Sequence, residues 1–268
     1  MKNNQILNKD LKTLIEKFKD TDVIPTIEKN YSLEQVKYVP LNLIDDNQFI
    51  KKAKIAEKNL KEYEENVKEN GLIRPLIIRK VSDRYEIVIG RRLFIACKKL
   101  DFKQVSVIIE NFDDEETLLI LLADTLEQRS YNVIEVAYIL KNLKDKFNYR
   151  NKDLAKLLKK SPGQISNILQ LLNLPKEILR DIVNNKLTYG HAKAISRLDN
   201  GEALKMTKLI YEEKLNVREI EDLVNKKEKK SKNCKIFTKN NEIIILTDSK
   251  EEQEILLDKI NQLLKESN

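Results

Sequence analysis

Histidine and cysteine are scarce in this 268-residue sequence, and tryptophan is absent. His191 is the one histidine, so a metal centre built from several histidines is excluded. Cys97 and Cys234 lie far apart in the sequence and form no motif that could hold zinc. Isolated thiols of this kind are typical of a reducing compartment, which predicts a cytoplasmic protein without structural disulfides.

Glycine and proline are also rare, with five of each, whereas charged residues make up 35% of the chain. This composition favours long helices over a β-sandwich or a barrel. No run of about 18 apolar residues is present, so no membrane-spanning segment is expected. The N-terminus carries no apolar stretch of the signal-peptide type. The length is sufficient for two domains and a small third unit.

Residues 151–172 carry the strongest functional pattern, which is two short amphipathic helices separated by a tight turn. Ser161, Pro162 and Gln164 form a capping box with proline at the first helical position, so a second helix begins there. Its apolar residues recur with a helical period and predict a buried stripe of Ile165, Ile168, Leu169 and Leu172. The outward-facing residues are predicted to read base edges in the major groove, and they are Gln164, Ser166, Asn167 and Gln170. The pattern predicts a helix-turn-helix with residues 162–172 as its recognition helix.

Charge helps to decide between DNA binding and a helical domain that never touches DNA, because two short helices with a turn occur in both. Residues 141–197 contain thirteen basic and four acidic residues, in a chain whose net charge is +7. The positive charge is therefore concentrated in the candidate module, as phosphate binding requires. Lys159, Lys160 and Arg180 are candidate phosphate contacts, which set register without reading sequence. Lys159 stands where this turn often has glycine, so a left-handed conformation there carries strain.

Hydrophobic periodicity divides the chain into five parts and predicts a multidomain α+β fold. Residues 1–35 hold an amphipathic helix and a linker. Residues 36–130 alternate between strand and helix patterns and predict a small α/β domain, whereas residues 131–225 are predicted to be all helical. The lysine-rich stretch 226–233 is predicted to be a flexible linker. Residues 234–268 predict a ββα unit that is too small to fold alone, so it either dimerises with two-fold symmetry or docks on the chain's own body.

Separate pieces of the sequence, in a fixed order, carry a resemblance to a known family. They are residues 71–76 (GLIRPL), 85–98 (YEIVIGRRLFIACK), 124–137 (DTLEQRSYNVIEVA), the helix-turn-helix, 171–175 (LLNLP) and 190–194 (GHAKA). With these pieces the chain resembles the ParB family of chromosome and plasmid partition proteins, which includes the nucleoid occlusion protein Noc. The resemblance covers about residues 36–193 and, more weakly, the C-terminal ββα unit.

The resemblance implies both an architecture and a mechanism. ParB-like proteins bind a palindromic, centromere-like site in double-stranded DNA through the helix-turn-helix, and they form homodimers through the C-terminal unit. Their N-terminal domain is a CTP-operated clamp with weak CTPase activity, and a basic N-terminal segment stimulates a ParA-type ATPase. Here the helix around Lys9, Lys12 and Lys17 is the candidate for that segment. The location that this implies is nucleoid-associated within the cytoplasm.

The resemblance also places the GHAKA motif at the DNA surface. His191 and Lys193 are accordingly candidate DNA contacts, and Ser161 at the start of the recognition helix is a further candidate. A purely structural role for His191 stays open, since Thr188 could cap the helix on which this histidine lies.

The nucleotide motifs depart from those of the family. The phosphate motif Gly-Glu-Arg-Arg-x-Arg aligns without a gap to Gly90-Arg91-Arg92-Leu93-Phe94-Ile95. Gly90, Arg91 and Arg92 are candidate phosphate contacts at a helix start, and pairing of the arginines with nearby carboxylates is the alternative. Arg74 stands near the base-binding loop, where relatives commonly have glutamine.

The family's Glu-Asn-x-Gln-Arg motif, which carries the magnesium-binding acid, appears here within residues 124–129. Asp124 is the candidate Mg²⁺ ligand, with a side chain one methylene shorter than glutamate. Thr125 and Arg129 are candidate nucleotide contacts. CTP and Mg²⁺ are thus the cofactors that the resemblance implies.

Alternative functions remain open at this point. One is a nucleoid occlusion protein with a membrane-binding N-terminus, and another is a transcriptional repressor of the same fold without a nucleotide switch. An enzyme acting on nucleotides or DNA is a third, although the sequence offers no catalytic group beyond Asp124 and the arginine pair.

Overall fold

The computed structural model describes residues 35–128, 131–232, 235–239, 242–246, 253–254 and 256–260. The chain divides into two compact units, with the boundary between Leu204 and Lys205. None of the helices in the described ranges is long and apolar enough to cross a membrane.

A five-stranded mixed sheet opens the first unit. Its strands are β1 (Lys37–Pro40), β2 (Ile44–Asp45), β3 (Leu76–Val81), β4 (Arg84–Ile89) and β5 (Gln104–Glu110). The strand order is β1-β5-β3-β4-β2. β3 pairs antiparallel with β4 and parallel with β5, β1 lies antiparallel to β5, and β2 lies parallel to β4. The two-residue β2 follows a 3-10 turn, and the sequence pattern did not predict it.

Three helices cover the sheet. They are α1 (Glu57–Asn70), α2 (Arg91–Lys99) and α3 (Asp114–Glu127). α1 ends at Gly71, whose φ of +70° is favoured only by glycine. Because neighbouring strand residues point to opposite faces, Ile78 of β3 packs towards Phe94 of α2, whereas Ile77 packs towards α3.

A helical region completes the first unit and extends into the second. Its helices are α4 (Val133–Phe147), α5 (Asn151–Leu157), α6 (Pro162–Gln170), α7 (Lys176–Val183) and α8 (Tyr189–Ile195), followed by α9 (Asn200–Glu213). α3 is apolar on nearly all sides because it is buried on two: Ile120 contacts the sheet, while Leu118 and Leu122 contact the helical core. The predicted domain boundary at residue 130 therefore crosses a shared core.

The second unit contains α10 (Val217–Lys232) and the hairpin strands β6 (Lys235–Lys239) and β7 (Glu242–Leu246), and residues 256–260 are helical. The lysine-rich stretch that was predicted to be a flexible linker is helical through Lys232. That prediction was wrong, because lysine and glutamate favour helices and the stretch contains neither glycine nor proline. The hairpin agrees with the predicted ββα unit. The helix predicted near the N-terminus lies outside the described residues.

Candidate DNA interface and nucleotide site

The turn between α5 and α6 has the geometry that the sequence predicted. Lys159 adopts a φ of +50°, which is the left-handed conformation expected at this position. The backbone amide of Lys160 donates to the carbonyl oxygen of Ala155 over 2.9 Å and closes the turn. Ser161 then caps α6: its hydroxyl accepts from the amide of Gln164 at 3.2 Å, and the Gln164 carboxamide oxygen accepts from the amide of Ser161 at 2.8 Å. The capping box is confirmed, and it fixes where α6 begins.

Apolar contacts hold α6 against the helices before it. Ile165 and Ile168 are buried in the same core as Leu154 and Ala155 of α5. The small Ala155 permits the close crossing of α5 and α6, because a larger side chain would separate them. This packing fixes which face of α6 stays accessible.

The polar face of α6 carries the candidate base readers in unequal states. Gln164 and Ser166 are exposed, and Asn167 is half-buried. The Ser166 hydroxyl accepts a hydrogen bond from the side-chain amide of Asn151 at 2.7 Å. The half-buried Gln170 donates to the backbone carbonyl of Ser196 at 2.9 Å, so its amide is engaged within the protein. The geometry therefore supports Gln170 least among the four candidates.

The helix α8 presents the second predicted contact surface. The hydroxyl of Thr188 accepts from the amide of His191 at 3.3 Å and caps α8, as the sequence predicted. His191 is half-buried, and its buried Nδ1 atom has no hydrogen-bond partner within the described part of the chain. Lys193 is half-buried, whereas Arg180 on α7 is exposed.

A left-handed glycine begins α2 in the candidate phosphate site. Gly90 has a φ of +91°, and a Cβ atom at this position would come within 2.9 Å of the Leu76 side chain. Glycine is therefore favoured here by the backbone conformation, and any larger residue would also require the Leu76 side chain to shift. The carbonyl of Gly90 accepts the first helical hydrogen bond, from the amide of Phe94 at 2.9 Å.

Arg91 lies at this helix start but is held by carboxylates. Its Nε and Nη2 atoms donate to the two oxygens of Asp46 at 2.7 and 2.9 Å, and Nη1 donates to Glu135 at 2.5 Å. Nη2 also donates to the carbonyl of Ala53 at 3.1 Å. Burial lowers the pKa of Arg91, but the bond to Asp46 and the charges of Asp46 and Glu135 outweigh it and raise the pKa overall.

Arg92 is buried beside Arg91 and shares one of its partners. Its Nη2 atom lies 3.4 Å from the second carboxylate oxygen of Glu135. The Glu135 side chain is only 3% exposed, so both of its oxygens are enclosed with the two guanidinium groups. Arg91, Arg92, Asp46 and Glu135 form a charge-balanced cluster, which we call the arginine–carboxylate cluster. The alternative that the sequence left open, pairing of the arginines with nearby carboxylates, is the arrangement observed.

The remaining nucleotide candidates differ in accessibility. Arg74 is exposed and lines a cavity of about 480 Å³ between α1 and α2, together with Tyr63 and Leu93. Asp124 is half-buried, and burial raises its pKa to about 6 against the opposing charges of Arg74 and Arg92. Thr125 is 3% exposed, so it is poorly placed to touch a ligand.

No group of three or more acids, histidines or cysteines that could hold a metal ion occurs in the described ranges. A Mg²⁺ ion at Asp124 would therefore need oxygen ligands from a bound phosphate and from water, which is how this ion commonly binds to proteins. Arg129 lies outside the described residues.

Two family models match the chain. One is described as the ParB N-terminal domain and matches residues 26–126, and the other is described as the ParB HTH domain and matches residues 129–229. The probable chromosome-partitioning protein ParB of Borreliella burgdorferi is 31% identical over 189 residues, which are 70% of this chain and 73% of that protein. The chain belongs to the ParB family.

Other similar proteins are a nucleoid occlusion protein and a chromosome-partitioning protein of known structure. A nucleoid occlusion protein of Bacillus thuringiensis is 32% identical over 195 residues, covering 72% of this chain and 67% of that protein. The C-terminally truncated ParB of Caulobacter crescentus complexed to the centromeric parS site is 28% identical, covering 71% of this chain and 99% of that one, with a TM-score of 0.43. The same protein complexed with CTP-γ-S is 27% identical, covering 64% and 97%, with a TM-score of 0.33.

Two acidic residues at the candidate phosphate site were not identified from the sequence. Asp46 directly follows β2, and Glu135 lies in the first turn of α4. An acidic residue on an apolar helix face is the one signal that could have singled out Glu135, because its neighbours Ile134 and Val136 are both buried.

Proposed function

We propose that this ParB-family chain is a partition protein that binds a palindromic site in double-stranded DNA as a homodimer. The observation that carries the proposal is the accessible polar face of α6. A capping box begins this helix, and Lys159 and Lys160 directly precede it. This face lies in the most basic part of the sequence. Gln164, Ser166 and Asn167 are the base readers that we favour.

Phosphate contacts are assigned to basic groups around this face. They are Lys159, Lys160, Arg180 and Lys193, with the N-cap residue Ser161 at the helix start. Such contacts are independent of sequence and sensitive to salt. His191 joins them as a candidate contact through the exposed part of its half-buried side chain.

Selection of DNA from a random library by the purified protein tests this proposal. The expected result is an inverted repeat, because a two-fold dimer presents two recognition helices. Lys160→Ala should lower affinity for all sequences and reduce the slope of log affinity against log salt by about 0.9 per subunit. Lys103→Ala, at an exposed lysine beside β5, is the matched control and should leave both unchanged. Recovery of no repeat would refute the proposal.

Dimerisation is assigned to the C-terminal unit. Leu257 and Ile260 on its helix are 52% and 37% exposed, which supports an apolar surface that a second copy would cover. A dimer that buries Ile260 would remove this exposed apolar side chain from water. Ile260→Glu should give a monomer in sedimentation and weaken binding to the inverted repeat. A dimer that persists would place the interface elsewhere.

CTP with Mg²⁺ is the cofactor that we propose for the N-terminal domain. Gly90 at the start of α2, the exposed Arg74 and the half-buried Asp124 support it. Calorimetry with CTP, Mg²⁺ and the selected DNA tests it, and turnover of CTP in the same mixture tests for a CTPase. If the selected repeat binds without any CTP affinity, the protein is a static site-specific binder such as a repressor.

Two partner functions are assigned to the N-terminal segment. Stimulation of a ParA-type ATPase should require Lys9, Lys12 and Lys17, and their joint replacement by alanine should abolish it. A nucleoid occlusion role is the second candidate, because the chain is about as similar to the Bacillus thuringiensis nucleoid occlusion protein as to the Borreliella burgdorferi ParB. In that case the full chain, but not a chain lacking residues 1–34, should float with vesicles of anionic phospholipid. Either role implies a fluorescent fusion that localises to the nucleoid.

A further inference from the structure

The start of α2 already holds anionic groups where a nucleotide's phosphates would bind. Asp46 contacts Arg91 through both of its carboxylate oxygens, and Glu135 contacts Arg91 and Arg92 with one oxygen each. All three guanidinium nitrogens of Arg91 donate hydrogen bonds within the protein. A carboxylate and a phosphate oxygen use the same donors of an arginine, so they compete for it.

We infer that Glu135 and Asp46 act as built-in competitors of the polyphosphate tail, so that phosphate binding and the arginine–carboxylate cluster exclude each other. The inference rests on the proposed nucleotide site and adds its regulation. Phosphates can bind to Arg91 and Arg92 only after Asp46 and Glu135 have released these two arginines. Charge supports this exchange, because two arginines and two carboxylates balance in the unbound protein. The negative charge of a polyanion added to the intact cluster would therefore stay uncompensated.

Release of the cluster acts on the helical region that carries the DNA-binding helices. Glu135 lies in the first turn of α4, whose core is shared with α5 and α6. Asn132, the N-cap of α4, donates to the carbonyl of Lys54 in the segment between β2 and α1 at 2.8 Å. The cluster and this bond together fasten the start of α4 to the N-terminal domain. Polyphosphate binding therefore loosens the start of α4.

Two substitutions with a matched control test the competition. Asp46→Asn keeps an acceptor for Arg91 while removing one negative charge, and Glu135→Gln does the same at the buried position. Asp45→Asn is the control, since Asp45 is exposed, adjacent to Asp46 and paired with Arg84 instead. The probes are tripolyphosphate and CTP with Mg²⁺, measured by calorimetry on full-length proteins whose fold is checked by circular dichroism.

The expected result is a rise in affinity for both probes of about tenfold in Glu135→Gln, a smaller rise in Asp46→Asn, and none in Asp45→Asn. A purely structural role for Glu135 would lower thermal stability without raising affinity, and that outcome overturns the inference. If Glu135→Gln fails to fold, Asp46→Asn decides, because its side chain is more exposed, at 27%.

A second measurement uses the unaltered protein and separates failure of the inference from failure of the proposed function. Hydrogen exchange at the first turn of α4 should speed up as tripolyphosphate saturates the site, and binding without that change overturns the inference. Absence of binding to every variant overturns both the inference and the proposed nucleotide site. Binding of the same preparations to the selected repeat shows whether the DNA-binding function stands independently.

Discussion

Replacement of Lys159 by glycine should stabilise the protein while weakening its hold on DNA. The residue has a φ of +50°, a conformation that costs an L-residue roughly 1–2 kcal/mol. Glycine avoids that cost but loses about 0.5–1 kcal/mol more conformational entropy on folding than alanine does. Lys159→Gly should therefore be more stable than Lys159→Ala by about 0.5–1 kcal/mol. In a unit of this size, that difference corresponds to a rise in Tm of about 1–4 °C.

The comparison with Lys159→Ala isolates backbone strain, because both variants lose the same amine and its contacts. Thermal unfolding by circular dichroism gives the stability difference, and fluorescence anisotropy over a salt series gives the DNA affinity. Both variants should lose the same increment of the salt slope, about 0.9 per subunit, since one phosphate contact is removed. Equal Tm values for the two variants would refute the strain argument. An unchanged salt slope would show that Lys159 makes no contact with a DNA phosphate.

Three further predictions concern the buried polar groups and the recognition face. Arg79→Ala should lower the free energy of unfolding in urea by about 3–5 kcal/mol, because Glu86 stays buried without the arginine that contacts it at 2.6 Å. A decrease of less than about 1 kcal/mol would contradict this. Asn167→Ala should reduce the discrimination between correct and wrong bases by about 1–3 kcal/mol at one base pair per half-site, whereas Gln170→Ala should leave it unchanged. Affinities for DNA sites with single base-pair substitutions measure this difference. In Mg²⁺-free buffer, the free energy of unfolding of the original protein should contain a contribution from Asp124 that decreases as pH rises from about 4 to 6, and Asp124→Asn should remove this contribution. Burial raises the pKa of Asp124 to about 6, so over this range the folded state binds more protons than the unfolded state. Parallel pH profiles of the variant and the original protein would refute that assignment.

Local sequence signals predicted most of the secondary structure. The Ser161 capping box and the left-handed Lys159 each depend on residues within one turn of the feature that they set. The same locality explains the error at the end of α10. Charge was interpreted as a sign of flexibility there, although the local propensity of lysine and glutamate favours helix. The short β2 has too few residues for a period to be detected.

The candidate site was less predictable because it depends on residues distant in the sequence. Arg91 lies 45 residues from Asp46 and 44 from Glu135, and no periodic pattern links them. Gln170 fits the outward face of a helical wheel, yet its amide reaches the carbonyl of Ser196 across the α6–α8 contact. Periodicity predicts the side of a helix on which a residue lies. It cannot predict which neighbouring helix approaches that side.

Arg91 is the residue that both departs from the family's phosphate motif and holds the arginine–carboxylate cluster together. The family motif places glutamate where this chain has Arg91, and here that arginine neutralises Asp46 and shares Glu135 with Arg92. A return to glutamate at this position would set three carboxylates against one guanidinium in a buried space, where an unpaired charge is strongly destabilising. Glutamate at this position would therefore require that Asp46 or Glu135 lose its charge as well. If the proposed nucleotide site binds CTP, its affinity for the phosphates should therefore depend on how tightly these two carboxylates hold Arg91 and Arg92, which also join the start of α4 to the N-terminal domain.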